Sequence, residues 1–497
     1  MRIIILGAGR VGESVVDSLV SEQNDITVID TDARRLRALE ERYDLRGLVG
    51  SGVDPVVLEE AGARDADMLI ACAALDETNL VCCKVAHRLF NVPTRIARVR
   101  SQAFRHGSEL VDKEGFAVDR VICPEESLTR YIFKLIEYPE ALQVREFAGG
   151  LACLVSVRAV AGAPLVAHSI AELRECAPDV AMRIVAIYRR FEDEPDRFIA
   201  CDGATRVEPG DEVFVLAARD DIPRVLKALH RDEHRAPQGR PRRKVQRIMI
   251  AGGGRVGLRL AQELAAAPAG FHVKVVEQDA ERCTALAGQL PHEVLVLNGD
   301  VTDENLLEDE SIETVDLFLA LTNDDENNIM SSLLAKRLGA RRVLALINRR
   351  SYAELMHGTQ IDIALSPAQA MIGELLAHVR QGDVQAVHSL RRGVAEGLEI
   401  VARGDRKTSR IVGRTVRDLK LPAQAHFGLI VRGLPDPLAV VDAEAEAGEA
   451  APPREPQVII PKADTVIESN DHVVIFVPHK RLIRDVEKQF RVSAAFF

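Results

Sequence analysis

Gly7-Ala8-Gly9-Arg10-Val11-Gly12 and Gly252-Gly253-Gly254-Arg255-Val256-Gly257 are two copies of one glycine fingerprint in a chain of 497 residues. In each copy the first glycine permits a tight turn after a strand, the second lets a phosphate approach the backbone, and the third lets the following helix pack on the sheet. The phosphate then sits at the positive end of that helix. One such fingerprint is weak evidence. These two gain weight because each follows a strand, opens an amphipathic helix, and has an acid about 20 residues further on, at the end of the second strand. Those acids are Asp30 and Glu277. A carboxylate there accepts hydrogen bonds from ribose hydroxyls and repels a 2′-phosphate, which favours NAD(H) or an adenine nucleotide over NADP(H).

Outward from the first fingerprint, strands alternate with helices. Ile3 to Leu6, Ile26 to Ile29, Leu45 to Val49, Met68 to Ala71 and Arg95 to Val99 are short β-rich runs. Amphipathic segments such as Val11 to Leu19 and Leu80 to Leu89 separate them. The second half repeats this order: Gly12, Asp30, Gly50, Asp76 and Pro124 recur as Gly257, Glu277, Gly299, Asp325 and Pro367. Each repeat continues into a helix, Glu125 to Ile136 or Pro367 to Arg380, and then into a smaller unit.

The first smaller unit has strands at Val155 to Val157, Arg183 to Tyr188 and Asp211 to Val215, with a helix over Asp221 to Leu229. The second has strands at Gly428 to Arg432 and Asp471 to Phe476, with a helix over Lys480 to Phe490. The expected class is α/β: two doubly wound parallel-sheet, Rossmann-like domains, each followed by a small α+β domain. Their expected limits are 1–140, 141–229, 247–384 and 385–490. A solvated, Arg- and Pro-rich linker fills 230–246, and an acidic, Ala- and Pro-rich surface tract runs from Asp442 to Pro456.

Hydrophobic residues make up 47% of the chain and the formal net charge is −11. That composition fits a globular protein and gives no basic footprint for nucleic acid. The cysteines form no CxxC pair and read as reduced core residues, and no metal site is expected. Met1 runs directly into a strand without a secretory pattern, and no apolar stretch reaches membrane-spanning length. Any membrane role is therefore expected to run through a partner.

The carboxyl edge of a doubly wound sheet receives its ligand, which makes Ala73 and Ala74 after strand four, and Thr322 and Asn323 in the second copy, candidate lining residues. Asp76-Glu77-Thr78-Asn79 and Asp325-Glu326-Asn327-Asn328 read as helix-capping segments. Arg98 and Arg100, ending strand five, can reach a phosphate tail. The aligned second-copy residues are Leu346 and Asn348, although Arg349 and Arg350 leave that register open. Gly7 to Ser14 has the length of a P-loop, but Glu13 stands where its lysine belongs, which argues against nucleotide hydrolysis. No HExxH or GxSxG occurs, and no acid–base pair suited to hydride transfer is evident, so no catalytic residue is expected.

The succession of the first fingerprint, Asp30, Gly50-Ser51, Ala61-Gly62-Ala63, Ala66-Asp67 and Asp76 to Asn79 resembles the KTN, or RCK N-terminal, domain of potassium transport regulators. The smaller units resemble the RCK C-terminal domain, and the tandem arrangement is similar to the peripheral subunits of bacterial Trk-type potassium uptake systems. The resemblance implies a cytoplasmic subunit, attached to the membrane through its partner, that binds NAD(H) and ATP or ADP. It implies a homo-oligomeric ring, dimer or tetramer, controlling a membrane-embedded potassium-translocating subunit. Carried over by position, the binding residues are Gly7 to Val11, Asp30, Ala73, Ala74 and Arg98, and in the second copy Gly252 to Val256, Glu277, Thr322 and Asn323. The alternatives are an NAD-dependent oxidoreductase and a regulator of another cation transporter.

Overall fold

The computed structural model describes residues 1–20, 24–101, 104, 109–176, 180–191, 196–199, 201–230, 245–356, 360–380, 383–391, 394–422, 424–435 and 455–492. Most of the expected linker and the acidic tract, at 231–244 and 442–454, lie outside these residues. The chain divides into two compact units. One is Met1–Ile136 with Arg242–Leu375, and the other is Glu137–Pro241 with Leu376–Phe497.

The first unit holds two parallel sheets. The first comprises β1 (Arg2–Leu6), α1 (Arg10–Val20), β2 (Asp25–Asp30), α2 (Ala33–Glu40), β3 (Arg46–Val49), α3 (Pro55–Glu60), β4 (Met68–Ala71), α4 (Asp76–Phe90), β5 (Thr94–Arg98) and β6 (Arg120–Ile122), and leads into α5 (Pro124–Glu137). Its strand order is β3-β2-β1-β4-β5-β6. Helices cover both faces of the sheet, so central strands are apolar throughout rather than alternating, and all four residues of β4 are buried.

The smaller fold that follows contains β7 (Ala141–Phe147), β8 (Ala152–Arg158), α6 (Leu173–Cys176), β9 (Met182–Arg189), β10 (Arg197–Ile199), β11 (Glu212–Ala218) and α7 (Ile222–Leu229). The second large fold repeats the first. It comprises β12 (Arg247–Ala251), α8 (Arg255–Ala266), β13 (His272–Glu277), α9 (Ala280–Ala287), β14 (Leu295–Asn298), α10 (Glu304–Asp309), β15 (Leu317–Ala320), α11 (Asp325–Arg337), β16 (Val343–Leu346), α12 (Arg350–Leu355), β17 (Ile363–Leu365) and α13 (Pro367–Val379). Its strand order, β14-β13-β12-β15-β16-β17, is the same. The sixth strands, β6 and β17, were not expected from the sequence.

The second unit pairs the two smaller folds. The later one has β18 (Val384–Leu390), β19 (Ala395–Val401), β20 (His426–Arg432), β21 (Gln457–Ile459), β22 (His472–Val477) and α14 (Ile483–Phe490). Both sheets are antiparallel and five-stranded, ordered β10-β9-β11-β8-β7 and β18-β19-β22-β20-β21, which is one topology used twice. They share one apolar layer in which Phe147, Phe214 and Leu216 meet Leu429, Val474 and Phe476. Gly397 is glycine because a Cβ there would fall 2.9 Å from Phe147 Cζ.

His388 lies in the same layer. Its Nε2–H donates to the Glu146 carbonyl at 2.7 Å, and its ring meets Phe147 edge-on with centroids 4.8 Å apart. Burial, reinforced by Arg145, pushes the imidazole down from 6.5 to about 4. Between those values the unfolded chain binds a proton that the folded chain refuses, so stability falls as pH drops through that window, by at most about 3 kcal/mol. Urea midpoints at pH 7 and pH 5 should differ more for the wild type than for His388→Gln. Equal losses would exclude this histidine as the cause.

Candidate nucleotide-binding site

The glycine loops are held from three sides by backbone. Gly7 N–H donates to Ile29 O at 2.8 Å, and Gly252 N–H donates to Val276 O at the same distance. Gly7 has φ +101°, a left-handed conformation that side chains oppose, and a Cβ there would also lie 2.9 Å from Ala73 N. At Gly12 a Cβ would sit 1.8 Å from Gly7 O, and at Gly257 it would sit 2.0 Å from Gly252 O, so helix and turn touch backbone to backbone. Gly9 and Gly254 differ. The nearest atom to a Cβ on Gly9 is Arg35 Nη1 at 4.0 Å, and nothing lies within 4 Å of one on Gly254. Each loop is therefore clamped at its ends and open at its middle.

Asp30 links the loop to the second strand. Ala8 N–H donates to Asp30 Oδ2 at 2.6 Å and Asp32 N–H donates to Oδ1 at 2.8 Å. Glu277 does the same with Gly253 N–H at 2.8 Å and Asp279 N–H at 3.1 Å. A carboxylate has about four lone-pair sites, so acceptor capacity remains on each acid after these bonds. Helix capping falls instead to Asp32 and Asp279, which accept from Arg34 N–H and Arg282 N–H.

Asp76 and Asp325 do not cap α4 and α11 as expected. Their carboxylates accept from backbone N–H groups leaving β5 and β16: Arg100 and Ser101 for Asp76, Asn348 and Arg349 for Asp325. Asp324 takes the cap of α11. Asn79 and Asn328, read only as capping residues, are fully buried crosslinks. Asn79 accepts from Ala73 N–H at 2.8 Å and donates to the carbonyls of Ala73 and Arg98 at 3.1 and 2.8 Å. Asn328 repeats this with Thr322 and Leu346. The signal was available: an amide recurring at one place in both repeats, on the face of the helix that carries Leu80 and Cys83.

Comparison with known proteins completes the picture. The TrkA-N domain family matches residues 3–124 and again 248–367, and the TrkA-C domain family matches 154–230. The Trk system potassium uptake protein TrkA of Halomonas elongata is 48% identical over 497 residues, covering all of both chains. That of Vibrio alginolyticus is 45% identical with the same coverage. The chain belongs to the TrkA family. That family is one of potassium uptake proteins, not of enzymes. A solved structure described as the GsuK channel bound to NAD shares the fold, with a TM-score of 0.55 and 17% identity over 98% of this chain and 78% of that one.

The two TrkA-N folds differ at the far end of the sheet. Ala97 pairs with Ala71, and Ala345 with Ala320, so Arg98 and Arg100 correspond to Leu346 and Asn348. Arg349 is turned away to Glu326 Oε1 and the Tyr352 hydroxyl, each at 2.8 Å. Only 8% of Arg98 is exposed. Its Nη2 lies 4.0 Å from Glu125 Oε1, and Arg100 Nε lies 3.3 Å from the same oxygen. Neither Nε has a hydrogen-bond partner among the described residues. The second copy replaces this charged group with Leu346, Asn348 and Ala368. Among the described residues no cluster fit for a metal ion occurs, and no helix is long and apolar enough to cross a membrane.

Proposed function

We propose that this chain is the nucleotide-binding regulatory subunit of a Trk-type potassium uptake system, taking NAD(H) and ATP or ADP on its TrkA-N folds. The observation that carries the reading is the open space over Gly9 and Gly254 between glycines that the backbone requires. Phosphate there meets loop N–H groups and the positive end of α1 or α8. Asp30 and Glu277 receive the ribose. Gly7 to Gly12 with Ala73 and Ala74, and Gly252 to Gly257 with Thr322 and Asn323, line the two crevices. In the first fold the underused donors of Arg98 and Arg100 take the phosphate tail, where the second fold has Leu346 and Asn348 at the matching positions. NAD bound to a channel of this fold supports the cofactor class.

Occupancy acts by population shift. A nucleotide biases the assembly only through its differential affinity for two domain arrangements, and a coupling of about 1–3 kcal/mol is typical. The subunit works on the cytoplasmic side as a homo-oligomeric ring, held at the membrane by the potassium-translocating partner that it gates. Titration of the purified chain with labelled NADH and ATP tests the reading. Asp30→Ala should weaken binding at the first fold by about tenfold or more, through loss of charge-assisted hydrogen bonds. Unchanged affinity would remove Asp30 from the site.

A further inference from the structure

The connection from β19 to β20 carries a run of positive charge in a chain whose formal net charge is −11. Arg406, Lys407, Arg410, Arg414, Arg417 and Lys420 are all exposed, and none of the six has an ion-pair partner among the described residues. Elsewhere exposed arginines such as Arg42, Arg64 and Arg349 are matched by carboxylates. The acids within this connection are held in its turns. Asp405 accepts from the N–H groups of Lys407 and Thr408, each at 2.9 Å, and Asp418 accepts from the Thr415 hydroxyl at 2.6 Å. On the facing turn Lys462 and Asp464 offset each other.

The fold fixes these cations in place. Gly413 N–H donates to Ile467 O at 2.8 Å, Arg417 N–H donates to Ala463 O at 2.9 Å, and Ile411 and Val412 are buried, so the segment is tied down along its length. Arg406 lies against Gly413, where a Cβ would sit 3.2 Å from Arg406 Cβ, which brings it to the residue preceding Arg414. Val466, 42% exposed, pairs with Thr415 between Arg414 and Arg417. The first smaller fold builds the same turn without the charge. There Ala167 N–H donates to Val207 O and Ala171 N–H to Gly203 O, so His168 and Ala171 stand where the second has Arg414 and Arg417. The backbone therefore does not require arginine at either place.

We propose that this surface of the second smaller fold docks on the anionic headgroups of a membrane leaflet. The inference rests on the cytoplasmic placement proposed above but not on nucleotide binding. A potassium uptake system works at a membrane, and the cytoplasmic leaflet carries negative lipid phosphates that attract each nearby lysine or arginine. The translocating subunit is a poorer occupant, because cytoplasmic loops of membrane proteins are themselves enriched in lysine and arginine. Val466 adds an apolar side chain among the cations, a combination that suits the headgroup boundary. The contact is reversible and orients this fold, since the chain as a whole is acidic and is repelled by the same leaflet.

The test is flotation of the full chain with vesicles of phosphatidylcholine alone and of phosphatidylcholine and phosphatidylglycerol in equal parts. Only the anionic vesicles should carry the wild type, and raising salt from about 0.1 M to about 1 M, which shortens the screening length from about 10 Å to about 3 Å, should release it. Arg410→Glu, Arg414→Glu and Arg417→Glu together should weaken partitioning about a hundredfold or more. The milder pair Arg414→Gln and Arg417→Gln should weaken it about tenfold or more, which keeps the proposal testable if the reversal misfolds. Arg37→Glu, Arg88→Glu and Lys113→Glu, exposed cations of the first large fold, change the net charge as much as the reversal does and should weaken it less than about threefold. Equal binding to both vesicles, no binding to either, or equal losses in the two triple variants overturns the docking surface. Capture of the wild type by polyglutamate but not by anionic vesicles also overturns it and assigns an acidic polypeptide instead. Each of these failures leaves the nucleotide site standing, which titration with NADH tests separately.

Discussion

Gly12→Ala is expected to abolish nucleotide binding by the first fold and to destabilise it by about 3 kcal/mol or more. The new methyl would lie 1.8 Å from Gly7 O and 2.9 Å from Gly7 C, both backbone atoms of the turn itself. No rotamer relieves such a contact, so α1 must pull away from β1 and carry the loop N–H groups with it. Gly9→Ala is the instructive counterpart. Its methyl meets no protein atom closer than 4.0 Å, so the chain should melt as the wild type does while nucleotide affinity falls. Thermal melts and titrations of both variants check the pair. A Gly12→Ala chain with wild-type melting and affinity would show that the helix does not need that close approach.

Asn79→Ala should cost about 3 kcal/mol and loosen the crevice floor. Its amide is fully buried and serves three backbone groups, the Ala73 N–H and the Ala73 and Arg98 carbonyls. Removing it strands buried polar groups, each of which carries a desolvation penalty of about 1–3 kcal/mol. It also releases the exits of β4 and β5, which present Ala73 and Arg98. Urea denaturation gives the stability change, and hydrogen exchange at the ends of β4 and β5 should rise locally. A loss below about 1 kcal/mol, without faster exchange there, would mean that other contacts fix those strand ends.

Much of the first unit was legible because its signals are local and repeated. The glycine fingerprints, the acids after the second strand and the parallel spacing of the two halves each follow from backbone geometry that one short segment dictates. β6 and β17 escaped because three residues carry no periodicity, and they exist by pairing with β5 and β16. β19 escaped for another reason. Glu396 and Glu399 interrupt its apolar run, yet every residue in it is buried. Glu396 is matched by Arg380 at 2.7 Å, and Glu399 by His472 at 2.6 Å and by Ala148 N–H at 2.8 Å. Such partners lie outside the segment itself, 16 residues away for Glu396, 24 for Asp76 and 6 and 19 for Asn79, so the chain alone suggests capping where the fold uses crosslinking. The register of Arg349 was settled only by strand pairing, since side-chain direction at a strand exit depends on the neighbouring strand.

The shared apolar layer of the two antiparallel sheets also governs how the chain can be made. Phe147, Phe214 and Leu216 leave the ribosome well before Leu429, Val474 and Phe476, with the whole second nucleotide fold to be synthesised between them. At about 5–20 residues per second that interval is roughly ten to forty seconds, during which a greasy sheet face waits uncovered. Nascent chains stalled inside that window would be natural clients for a chaperone, and a chain cut between its halves would leave each fragment with a surface prone to aggregate.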